Sequence, residues 1–142
     1  MEFTKAELDA LLKQPKPLIL SGANLSGADL TKADLSYADL IGADLRQACL
    51  TKADLSYAKL SEADLTKANL THATMFWCHL FGANLSGADL TKADLSYAVL
   101  SHADLRGANL TNANLRGAIY STETKWPIGF DPIKARAKLA LW

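Results

Sequence analysis

The sequence has only two cysteines, Cys49 and Cys78, in 142 residues, so a disulfide framework is not expected to hold it together. No apolar run approaches the ~20 residues that a membrane-spanning helix needs. Met1 is followed by Glu2 with no apolar stretch behind it, so no secretory signal is read. Neither sign of charge is in excess, since 15 Lys and Arg stand against 15 Asp and Glu. That balance excludes both the composition of a basic nucleic-acid binder and that of a strongly acidic decoy. Aromatic residues are scarce at 8%, whereas 49% of the chain is apolar and most of that is Ala and Leu. Such a chain supplies many small, similar burial sites rather than one large mixed core. The expectation is a single domain, cytoplasmic and without membrane contact.

What is present is a repeat. From Leu20 to Leu115 every fifth residue is Leu, except Met75; from Ala23 to Ala118 every fifth is Ala, except Cys78. Asp or Asn usually lies between them, and Ser or Thr usually follows the Leu. The unit Ala-(Asp/Asn)-Leu-(Ser/Thr)-x occurs 20 times between Ala23 and Thr122. A period of five suits neither a helix nor a plain strand. Ala and Leu are two apart, however, and share one face of an extended stretch. The rest of each unit must turn, and Asp, Asn, Ser and Gly suit turns through local backbone bonds or unusual φ.

A longer period lies above the first. Gly22–Ala38 recurs identically as Gly82–Ala98, and the string TKADLSYA starts at Thr31, Thr51 and Thr91. These offsets are multiples of 20, or four units. A square coil follows, with four sides per turn and about five coils, roughly 24 Å tall at strand spacing.

These residues resemble the pentapeptide-repeat family over Ala23 to Thr122. The resemblance implies an all-β solenoid, a right-handed quadrilateral parallel β-helix with Leu and Ala inward. It implies no enzyme. A few members inhibit DNA gyrase through an acidic, DNA-like surface, usually as elongated dimers. The segment Thr124–Pro132 (TKWPIGFDP) is similar to tails that follow such repeats in cyanobacterial members.

Solenoid ends need covers, and a short helix is expected at each. The predicted organisation is an N-terminal cap over 1–17, the β-helix over 18–122 and a C-terminal loop and helix over 123–142. Thr4 and Glu7 form a capping-box pair, Phe3 and Leu8 flank it, Leu8, Leu11 and Leu12 make an apolar stripe, and Pro15 and Pro17 end the helix. At the other end Asp131 reads as an N-cap before Pro132, with Ile133, Ala137 and Leu141 on one face. Trp126 and Phe130 are expected to plug the last coil.

Stacking by 20 makes vertical columns. Lys32, Lys52, His72 and Lys92 form a basic column beside Thr31, Thr51, Thr71, Thr91 and Thr111. Tyr37, Tyr57, Trp77 and Tyr97 form an aromatic column, with Asp34, Asp54 and Asp94 between the two. Lysines beside rings suit single-stranded nucleic acid, while mutual stacking of the rings accounts for the aromatic column alone.

The pattern breaks at Thr74–Phe81. Met75 and Cys78 fall at inward slots and should balance in volume. Phe76, Trp77 and Phe81 fall outward, and with Ile41 and Val99 they form a candidate apolar contact patch, for a protein partner or a second copy of the chain. Cys78 points inward and His79 outward, His72 and His102 lie on other columns, and Cys49 is on a different side. No metal-ligand spacing, nucleophilic triad or phosphate loop appears, so no catalytic residue, metal or cofactor is expected. The reading is a non-catalytic interaction protein. A gyrase-directed DNA mimic and a weak nucleic-acid binder through the Lys and Tyr columns are the alternatives.

Overall fold

Each repeat unit closes through one turn. In the computed structural model, which describes residues 3–141, the Leu carbonyl accepts from the Ala N–H three residues on, from Ala23 N to Leu20 O (3.0 Å) down to Ala118 N to Leu115 O (3.0 Å). Residues 1, 2 and 142, the outermost positions of the two expected caps, lie outside the described residues. The residue before each Ala is left-handed in all twenty turns between 22 and 117, in thirteen of them with a side chain. A left-handed residue at this third position is the mark of type II turns. The sequence reading expected Asp, Asn, Ser or Gly to take the unusual φ. Gly does so at seven turns and Asn112 at one, whereas at the other twelve Lys, Tyr, Trp, His, Gln and Glu take it, among them Tyr37 at φ 60° and Trp77 at 56°. Such a residue costs about 1–2 kcal/mol in isolation. Here the turn bond and a bond from its own N–H to the next level, as Tyr37 N to Ser56 O (2.9 Å), hold it in place.

Asp and Asn serve the adjacent turn. Asp29 Oδ1 accepts from Thr31 N–H at 3.1 Å and from its hydroxyl at 2.7 Å, and most levels repeat the pattern. The backbone N–H that begins a turn is thereby satisfied.

Between turns, one residue per side bridges in parallel to the residue 20 positions on, as Asp34 to Asp54 to Thr74 to Asp94 to Asn114, with an offset of 21 only from Asp104 to Lys125. Four columns define four faces. Face 1 carries Asn24, Asp44, Asp64, Asn84, Asp104 and Lys125; face 2 runs from Asp29 to Asn109; face 3 from Asp34 to Asn114; face 4 carries Ile19, Asp39, Lys59, His79, Val99 and Ile119. The chain is thus a repeat β-helix solenoid. Inside it the Leu and Ala columns are almost fully buried, and Met75 and Cys78 are both at 0% exposure. Burial of each Leu stabilises by about 1.5–3 kcal/mol.

At the N-terminal end α1 (Lys5–Leu12) lies against the coils. Its capping box is complete: Glu7 N–H donates to Thr4 Oγ1 (3.2 Å) and Thr4 N–H to Glu7 Oε2 (2.8 Å). Leu8 is buried, and Leu11 and Leu12 pack on the core.

The expected C-terminal helix does not form. Residues 132–136 make a short turn with Asp131 Oδ1 accepting from Ile133 N–H (2.9 Å), and Arg136 at φ 65° ends it. The following strand β2 (Lys138–Leu139) pairs in parallel with β1 (Ile119–Tyr120). Ile133 and Leu141 are exposed and only Ala137 of that expected face is buried. So short a helix is marginal by itself, and the open edge of β1 offers ladder bonds instead. Trp126 stacks on Phe130 (5.0 Å, 24°) and meets Tyr120 edge-on (5.5 Å), packed against the core. Among the described residues no helix is long and apolar enough to cross a membrane.

Candidate interaction face

The four faces differ in how often they keep the turn-capping Asp or Asn. Face 1 carries that backbone bond at all five levels from Asn24 to Asp104. Faces 2 and 3 carry it at four of five, Cys49 and Thr74 being the exceptions. Face 4 keeps it only at Asp39 among its levels from 39 to 119. Lys59, His79, Val99 and Ile119 replace it, so face 4 alone has given up most of a bond of about 1 kcal/mol per level. The sequence reading pooled the four sides and did not see this; sorting the residue after each Ala by column would have shown it.

The exposed large apolar side chains gather on the same side. Within the coils they are Ile19, Tyr37, Ile41, Tyr57, Trp77 and Phe81. Ile19 stands on face 4. Tyr37, Tyr57 and Trp77 stand on the corner before it, and Ile41 and Phe81 on the corner after it. Faces 1, 2 and 3 and the two corners between them carry no such residue among the described coils.

The tyrosine corner is built by stacking. Tyr37 lies on Tyr57 (5.0 Å, 4°) and Trp77 on Tyr97 (5.2 Å, 10°). Phe76 is edge-on to Tyr57, Trp77 and Tyr97 at 5.7, 6.2 and 5.8 Å. The single ladder expected from sequence therefore resolves into two stacked pairs bridged by one perpendicular ring. Trp77 keeps 41% of its surface exposed and Phe81, across face 4, keeps 44%.

Phe81 belongs to a second cluster. Its ring lies 4.8 Å from His102, and with Val99, Ile119 and Glu123 both line a hollow of about 280 Å³. His102 Nε2 is 3.8 Å from Glu123 Oε2. Of the five candidate patch residues, Phe76 and Trp77 meet at one corner and Phe81 stands at the other, with His79 and Val99 of face 4 between. Ile41 is on the Phe81 corner two levels away, beyond Ser61. The patch is a face with two apolar rims.

Lys32, Lys52, His72 and Lys92 are exposed at their corner, all with left-handed backbone. Asp34, Asp54 and Asp94 accept from Ser36, Ser56 and Ser96 N–H, tying face 3 to the tyrosine corner. Those bonds, the Ser36 hydroxyl first, hold the Asp34 carboxyl below the usual 3.8. Cys49 Sγ lies 3.2 Å from Thr31 Oγ1, and bonds from Thr31 and Thr51 lower its thiol. Burial pushes the Cys78 thiol well up. Among the described residues no three His, Cys, Asp or Glu gather as a metal site.

A family model described as Pentapeptide repeats matches residues 19–47, 48–87 and 83–119. No curated protein matches the chain in sequence. Among solved structures, the pentapeptide repeat protein Rfr23 from the cyanobacterium Cyanothece 51142 is 32% identical, with a TM-score of 0.59 over 80% of this chain and 67% of that one. The pentapeptide repeat protein alr5209 from Nostoc PCC 7120 is 35% identical, with a TM-score of 0.53 over 86% and 84%. QnrB1, a plasmid-mediated fluoroquinolone resistance protein, shares the fold at 20% identity and a TM-score of 0.52 over 87% and 68%.

Proposed function

The chain belongs to the pentapeptide-repeat family, and on that premise we propose that it is a non-catalytic scaffold whose face 4, with its two apolar rims, docks a protein partner. One observation carries the reading: every exposed large apolar side chain of the coils lies on that face or its bounding corners. Face 4 is also where the turn-capping Asp and Asn have been given up, at a cost to stability that an interaction surface accounts for. Trp77 and Phe76 anchor one rim and Phe81 the other, as large rings do at the centre of interfaces. The likeness to two cyanobacterial proteins supports a cyanobacterial setting.

The test is affinity capture from cyanobacterial extract. Three baits are compared: wild type, a Phe76→Ser, Trp77→Ser, Phe81→Ser variant, and a face 2 control, Asn69→Lys. A protein retained by wild type and control and lost by the triple variant is the expected result. Equal recovery by all three, or loss with the control as well, refutes the docking face. Sedimentation of the same proteins tells a second copy of the chain from a different partner.

The other two readings have less behind them. A DNA mimic needs an acidic surface, and the chain carries 15 charges of each sign. Binding of single strands needs free ring faces, and the rings of the tyrosine corner already stack on each other.

A further inference from the structure

The tyrosine corner ends in positive charge that no carboxylate among the described residues pairs with. Arg116 and Arg136 occupy its first position at successive levels: Tyr97 N–H donates to the Arg116 carbonyl and Gly117 N–H to the Arg136 carbonyl, both at 3.0 Å. Lys138 follows on the neighbouring column, in register with Ile119. With Tyr97 and Gly117 these three cations line a hollow of about 270 Å³. The Tyr97 ring lies only 2.6 Å from where a Cβ on Gly117 would be, so the missing side chain lets the ring fold down as a wall.

Like charges on adjacent strands repel. The other two arginines, Arg46 and Arg106, are each neutralised. Arg46 and Arg106 each follow an Asp by two residues, and each holds that carboxylate with both Nε and Nη2, the latter at 2.7 Å. At the same spacing Arg116 follows Asn114, which accepts only the Arg116 backbone N–H (3.1 Å). Among the described residues no carboxylate oxygen lies within 4.0 Å of Arg116, Arg136 or Lys138.

We infer that this hollow binds a phosphate monoester or inorganic phosphate. Two guanidinium forks and an ammonium around one space match a dianion with three equivalent oxygens better than a singly charged carboxylate. The volume lies below the roughly 300–1,000 Å³ of sites for drug-sized ligands, which fits a single small anion. The hollow adjoins the protein-docking rim, because its Tyr97 wall stacks on Trp77, but its three cations are not among the rim residues Phe76, Trp77 and Phe81.

Backbone amide NMR with inorganic phosphate as the probe, at fixed ionic strength against chloride, tests it. Saturable shifts are expected at the amides of Arg116, Gly117, Arg136 and Lys138. Asn114→Asp restores the carboxylate spacing that neutralises Arg46 and Arg106, and should weaken phosphate at least fivefold. Its fold is expected to survive, because Asp34 and Asp54 already stand at adjacent levels of the same column. Arg106→Gln, at an arginine already paired, should leave the affinity within twofold. Shifts no larger than those with chloride, equal binding by wild type and Asn114→Asp, or an equal loss in Arg106→Gln would each overturn the site. If Asn114→Asp fails to fold, Arg116→Gln at an exposed side chain gives the same reading.

Discussion

Gly117→Ala should cost more stability than Gly42→Ala, although both add the same methyl group at the same kind of turn. The backbone terms match, because φ is +73° at Gly117 and +66° at Gly42. Each variant meets a left-handed penalty of about 1–2 kcal/mol. Each also gains about 0.4–1 kcal/mol from a less flexible unfolded chain. Those terms cancel in the difference. The surroundings do not match: a Cβ at Gly42 meets nothing within 4 Å, whereas at Gly117 it meets Tyr97 Cδ1 and Cε1 at 2.6 Å. Either the backbone shifts, at about 1–3 kcal/mol, or the ring swings away and loses its stack on Trp77, at about 0.5–1.5 kcal/mol. The excess for Gly117→Ala is therefore about 1 kcal/mol or more, which corresponds to roughly 3–5 °C in Tm for a chain of this size. Thermal melts followed by circular dichroism and by fluorescence give the comparison, and coincident transitions establish that one free energy describes each. Repeating both variants in a Tyr97→Ala background should abolish the excess. Equal losses in the two glycine variants, or an excess that survives Tyr97→Ala, would refute the packing described for the end of the tyrosine corner.

Ala53→Leu, at a fully buried slot, overpacks the Ala column and should cost about 1–3 kcal/mol; a melt identical to wild type would place Ala53 outside the core. Asp29→Asn should be nearly neutral and Asp29→Ala should cost about 1 kcal/mol, because the amide still accepts from Thr31 N–H and the methyl cannot; equal losses would show that the turn does not depend on that bond. The carboxyls of Asp29, Asp34, Asp44, Asp89 and Asp104 sit below the ordinary 3.8, held there first by side-chain hydrogen bonds from Thr31, Ser36, Arg46, Thr91 and Arg106. The unfolded chain then binds more protons, so their contribution is complete above the ordinary value and is lost as pH falls through the depressed ones. Tm should drop between about pH 5 and pH 2, and a flat profile there would contradict the assignment. Thr4→Ala removes half of the capping box on α1 and should cost about 1 kcal/mol, read as lost helical signal and a lower Tm.

The solenoid was legible because its signal is redundant. An inward Ala and Leu two apart, repeated twenty times in register, admit one extended side per unit. The 20-residue self-matches set the number of sides. Inward Met75 and Cys78 and the capping box at Thr4 and Glu7 followed from position alone. The C-terminal end was not legible. Asp131 and Pro132 are a fair helix start, and only the waiting edge of β1 explains why Lys138 and Leu139 extend instead. The placement of the outward rings was half legible, since they could be counted in the sequence but not their division between two corners.

By itself, then, the sequence determined the period, the inward columns and the twenty turns, because each depends on neighbours within five residues and on a repeat that brings like over like. Only the tertiary structure decided the rest. Where a residue other than Gly or Asn takes the left-handed position, its N–H bonds to the next level and holds it there against its own preference, which is how Tyr and Trp come to occupy it. Phe76 turned perpendicular to Tyr57 and Tyr97 because rings one level apart share the space between them. Arg116, which follows Asn114 where Arg46 and Arg106 follow Asp, was brought into register with Arg136 by chain that arrives twenty residues later. Contacts between levels carry the energy that settles these choices, and no single unit contains both partners.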